Sequence, residues 1–103
     1  MIVDVFIPMK LEPIERGERF DLPLCDLFDE TDGGDVLGGG TYGKNSEILG
    51  VQVEIELVDE SLLPEVAKIL RDGGAPPEGT ELKIYESEDA EARIITLAQI
   101  PHQ

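Results

Sequence analysis

The chain has 103 residues, with 23 Asp and Glu against 8 Lys and Arg, a formal net charge of −15 and 41% apolar residues. That is enough apolar content for one modest core and too much for a disordered chain, so the whole of 1–103 reads as a single α+β domain. The charge disfavours DNA, RNA and anionic lipid, whose affinity for proteins comes from Lys and Arg, and no run approaches the roughly 18 apolar residues of a membrane span.

One cysteine, Cys25, leaves no intramolecular disulfide. With His102 the single histidine, a zinc site or a catalytic triad lacks its components, and neither a metal nor a cofactor is expected. Asp4 interrupts the apolar start of the chain, which speaks against a cleavable signal and for a cytoplasmic protein.

Residues 1–9 form a predicted central strand, in which Val3, Val5 and Ile7 alternate with Ile2, Asp4 and Phe6 until Pro8 ends the pairing. Residues 10–19, with Pro13 and Gly17 among charges, read as a loop. From Phe20 the spacing turns helical, with Leu24, Leu27 and Phe28 on one face, Asp21 as N-cap and Gly33-Gly34 as the stop. Between Asp21 and Asp35 stand six acids and no base. Those near the C-terminal end of the helix oppose its macrodipole.

Residues 35–43 and 47–58 read as two strands joined around Lys44-Asn45-Ser46. In the second, Val51, Val53, Ile55 and Leu57 take one face and Gln52, Glu54 and Glu56 the other. A helix over 60–72 follows, capped by Asp59 or Ser61, with Leu62, Leu63, Val66, Ile69 and Leu70 in a stripe and Gly73-Gly74 at its end. After a rigid connection at 75–79 come a strand over 80–86, an acidic loop at 87–91, a strand over 93–97 and a frayed tail, Ile100 to Gln103. The order β-α-β-β-α-β plus a last strand points to a ferredoxin-like two-layer sandwich, an antiparallel sheet with two helices on one face. Its free face would carry Gln52, Glu54 and Glu56.

Gly38, Gly40 and Gly43 match the spacing of a dinucleotide-binding turn, but a strand follows where that motif needs a helix. The glycines read instead as a bulge or a close approach. A calcium loop starting at Asp29 fails, since Gly33 and Gly40 fall where oxygen ligands are required. Glu54 with Glu56 is a carboxylate pair without a sign of the pocket that acid-base catalysis needs. Cys25 reads as a buried structural thiol, and Tyr42 and Tyr85 as contact residues or, more commonly for such positions, half-buried strand side chains.

The GGGT hairpin at Gly38–Thr41, the strand VQVEIEL and the turn GAPPEGT at 74–80 resemble a group of small bacterial α+β proteins with a GGGT hairpin and a GAPxGT-like turn, the turn here being one residue longer. The resemblance spans about half the chain, and it implies partner binding of the kind small acidic immunity proteins perform, with no catalytic residue carried across. The expected function is therefore a non-enzymatic acidic protein that binds a basic protein partner through Asp26, Asp29, Glu30, Asp32 and Asp35, and secondly through Glu54 and Glu56. The alternative is a small-molecule-binding or catalytic domain, a homodimer with a pocket at Gly38, Gly39, Gly40, Thr41 and Tyr42.

Overall fold

The computed structural model describes residues 1–44, 47–86 and 91–100. In β1 (Ile2–Ile7) the side chains of Val3, Val5 and Ile7 are fully buried, while Ile2, Asp4 and Phe6 between them are half-buried. This is the period of a strand whose two faces meet different surroundings.

The next segments are α1 (Pro13–Arg16), a π-helical turn at Gly17–Asp21 and α2 (Leu22–Thr31), which run on without a break. Residues 10–19 are thus not simply a loop, because the chain is helical from Pro13 onward. Asp21, expected as the N-cap, has right-handed helical dihedrals and caps nothing. The causes are local: Pro13 sits in a first turn, where no amide hydrogen is needed, and Gly17 takes ordinary helical dihedrals. Pro23 has no hydrogen to give the Arg19 carbonyl and its ring crowds that group. The ladder widens there, and the Leu22 amide donates to the Gly17 carbonyl five residues back.

Asp32, with φ of 51°, ends α2 in the left-handed conformation that the sequence assigns to Gly33-Gly34. Those glycines serve close packing instead. A Cβ at Gly33 would fall 2.0 Å from Leu62, and one at Gly34 would fall 2.2 Å from the Glu56 carbonyl oxygen.

β2 (Gly34–Lys44) pairs antiparallel with β3 (Glu47–Leu57), and the register slips between Val36 and Gly38 and between Tyr42 and Gly43. The glycine run therefore carries a bulge, as its composition suggests. Asp59 accepts a 2.7 Å hydrogen bond from the Ser61 amide, which holds its carboxyl below the usual range and opens a 3₁₀ turn at Glu60–Leu62. That turn leads into α3 (Leu63–Asp72), which buries Leu63, Val66, Ala67 and Leu70 and stops before Gly74, whose φ is 96°. β4 (Glu81–Tyr85) and β5 (Arg93–Thr96) form the closing hairpin, followed by a 3₁₀ turn at Leu97–Gln99.

Ile100 is buried rather than frayed. The Arg71 guanidinium donates to the carbonyls of Leu97, at 2.8 Å, and Ile100, so the end of the described chain is tied to α3. The expected turn at Asn45-Ser46, most of the acidic loop at 87–91, and the tail with His102 lie outside the described residues.

The fold is α+β, with a five-stranded antiparallel sheet in the order β2-β3-β1-β4-β5. One core cluster unites the buried face of the strands (Val3, Val5, Ile7, Val51, Val53, Ile55, Leu57, Leu82 and Ile84) with Phe20, Leu24 and Phe28 and with Leu63, Val66 and Leu70. Among the described residues no helix is long and apolar enough to cross a membrane.

Candidate interaction surfaces

The acids singled out from the sequence stand on the first helical segment and on the strand that follows it. Asp26, Asp29 and Glu30 are exposed on α2, Asp32 is exposed at its end, and Asp35 is exposed at the start of β2. Three of them, Asp26, Asp29 and Asp35, act together with Asp21 on Cys25. Burial pushes its thiol pKa up, and the carboxylates of Asp29, Asp21, Asp35 and Asp26 push it further. No base stands in the last turn of α2. Among the described residues the ion pairs are Arg16–Asp21, Arg19–Glu15, Arg93–Glu60 and Arg93–Glu86, so none of the five acids has a basic partner within 4 Å.

Asp21 plays a different part. It lies 3.5 Å from the Arg16 guanidinium, yet burial outweighs that attraction and raises its carboxyl above the usual range. This pair packs the start of the helix against β2, because the Arg16 guanidinium carbon lies 3.2 Å from where a Gly39 Cβ would stand.

The sheet face turned away from the core is ordered in rows by the strand register. One row runs Asp35, Glu56, Ile2, Tyr85; the next runs Gly38, Glu54, Asp4, Lys83, Ile94; a third runs Gly40, Gln52, Phe6, Glu81, Thr96. Asp35 therefore stands directly across from Glu56, and Asp4 directly across from Glu54. Like charges in such positions destabilise a sheet. Gln52 offsets part of this by donating from Nε2 to Asp4 Oδ1. Asp35 belongs to both acidic groups, which the sequence treats as separate.

Phe6 and Tyr42 meet edge to face on this side, with ring centroids 5.4 Å apart at 76°. Gly50 makes that contact possible, since a Cβ there would stand 2.6 Å from the Phe6 ring. Beside them a groove of about 200 Å³ is lined by Asp4, Phe6, Tyr42, Glu81, Lys83 and Ile94. Sequence reading missed Asp4, Phe6, Glu81 and Lys83 as surface candidates. The alternation in β1 and β4 was the available signal, but it acquires meaning only when β1 is known to lie between β3 and β4.

The residues of the glycine-rich segment divide between the two faces of the sheet. By register Gly39 and Thr41 share the core-side face with Val53 and Val51, while Gly38, Gly40 and Tyr42 take the open face. A cleft of about 510 Å³ lies elsewhere, between the π turn and the end of α3. Arg19 in that cleft is already engaged by Glu15 at 2.7 Å. No group of three His, Cys, Asp or Glu among the described residues is arranged to hold a metal ion. No protein family, no curated protein and no solved structure matches the chain.

Proposed function

We propose that this protein is a non-enzymatic interaction module that docks a basic protein surface on its carboxylates, in the manner of an immunity-type inhibitor. One observation carries the reading: the carboxylates stand where they oppose the electrostatics of the fold. Asp29 and Glu30 occupy the last turn of α2, where the macrodipole disfavours anions by about 0.3–1 kcal/mol per charge at low salt. Asp35 faces Glu56 across the sheet. Acids needed for solubility alone could stand anywhere on the surface. A cationic partner removes both penalties at once and associates faster in the negative field.

The fold we assign is a ferredoxin-like two-layer sandwich with one added strand, for which the element succession and the order β2-β3-β1-β4 are the support. A cytoplasmic setting accords with the free thiol of Cys25. The competing reading, a small-molecule-binding dimer, has the Phe6/Tyr42 groove in its favour. At about 200 Å³ that groove falls below the roughly 300–1,000 Å³ of ligand pockets.

The test compares the wild-type protein with the variant Asp26→Asn/Asp29→Asn/Glu30→Gln/Asp32→Asn as baits in its source lysate at low and high salt. A basic protein should bind the wild type stoichiometrically, leave at high salt, and associate about tenfold more slowly with the variant. The variant itself should be at least as heat-stable as the wild type at low salt. Equal retention of the same partner by both baits removes this surface from the function.

A further inference from the structure

At two glycines of β2, Gly38 beside the bulge and Gly40 beyond it, neither packing nor backbone conformation demands glycine. A Cβ at Gly38 or Gly40 would meet nothing within 4 Å, and among the described residues only Gly74 is a glycine with positive φ. Glycine inside a strand weakens it, because the backbone is freer when unfolded and no side chain packs. The glycine between them is different: a Gly39 Cβ would fall 2.6 Å from the Gln52 carbonyl oxygen. Gly38 and Gly40 both lie on the open sheet face, paired with Glu54 and Gln52.

Their missing side chains leave a flat floor beside Glu54. Tyr42, which is 46% exposed, stands further along the same face of β2, with its ring against Phe6. Glu54 faces Asp4 across the sheet, Asp4 has Lys83 across from it on its other side, and Glu54 has no such cation, so a cation placed over Glu54 would complement it.

We propose that this floor seats an extended segment of a basic protein partner, with the aliphatic stem of an arginine or lysine lying over Gly38 and Gly40. The cationic head then reaches Glu54 and Asp4, and the Tyr42 ring offers its face to the same group. This rests on the reading of the protein as a partner of basic surfaces and names where that partner sits. Charge selects the occupant: among the described residues the open face carries Asp4, Asp35, Glu54, Glu56 and Glu81 against Lys83, so two copies of this face repel each other.

The experiment is an NMR titration of the isotope-labelled full chain with a peptide of alternating arginine and glycine, alongside the variant Gly38→Thr/Gly40→Thr. The double variant keeps the net charge of −15, so loss of binding in it reports shape rather than electrostatics. Expected are amide shifts centred on Gly38, Gly40 and Tyr42 in the wild type, affinity weaker by about tenfold or more in the variant, and a melting temperature at or above wild type. Unchanged affinity overturns the proposal, and so does a lowered melting temperature, which would give the glycines a structural purpose. Shifts confined to α2 that vanish in the α2 Asn/Gln variant overturn it while leaving the basic-partner reading standing. Absence of any salt-sensitive binding removes both.

Discussion

Cys25 is half-buried on α2, and its thiol pKa is pushed up first by burial and then by four neighbouring carboxylates. Less thiolate is present at any given pH, so the side chain is a poor nucleophile, in keeping with the structural part the sequence assigns to it. The expected burial is only partial. The pH profile of alkylation by iodoacetamide should have its inflection above that of the urea-unfolded chain, and Asp29→Asn should move it down and speed labelling a few-fold near pH 8. An inflection at or below the unfolded one would overturn the account. The residue chemistry was legible because one cysteine among acids is visible in the sequence. The contribution of Asp35 was not, since it depends on β2 folding back beside α2.

The two helical rods differ in how openly the sequence announces them. In α3 the stripe, the Asp59 cap, Pro64 in the first turn and the glycine stop all agree, and the structure follows them closely. In the first rod Pro13, Gly17 and Pro23 are breaker residues by composition, so 10–19 looks like a loop. Each is tolerated for a particular reason: Pro13 starts the helix, Gly17 costs only entropy, and Pro23 is absorbed by the π turn. Burial of Phe20, packed against Gly73 at the end of α3, holds the widened turn in place. Because a Cβ at Gly17 meets nothing within 4 Å, Gly17→Ala should raise stability by about 0.5–1 kcal/mol in urea unfolding. Gly34→Ala is the opposite case, since its Cβ would stand 2.2 Å from the Glu56 carbonyl oxygen, and a loss of about 1–3 kcal/mol is expected. A stabilising Gly34→Ala or a destabilising Gly17→Ala would contradict the packing described.

At the scale of the whole molecule the charge of −15 acts on folding as well as on partners. Self-repulsion among surface carboxylates opposes the folded state and is screened by salt, so the melting temperature should rise by several degrees between about 10 mM and about 0.5 M sodium chloride. Binding to a basic partner should weaken over the same range, and a melting temperature that falls with salt would show the surface charges to be net stabilising. The alternation of apolar and polar residues, the helical stripes and the surplus of acids are local properties of the chain. They were enough to mark the strands, α2, α3 and the side of β3 on which Glu54 and Glu56 stand, though not the helical start at Pro13. Which strand lies beside which is set by burial shared among segments far apart in sequence, and no periodicity within a strand encodes it. The pairing of β3 with β1 and β2 is what brings Asp4 opposite Glu54 and Asp35 opposite Glu56, and what turns Gly38 and Gly40 toward the open face while Gly39 packs inward. Side-chain direction follows from the two-residue period of a strand, whereas the neighbours a side chain meets follow from long-range register.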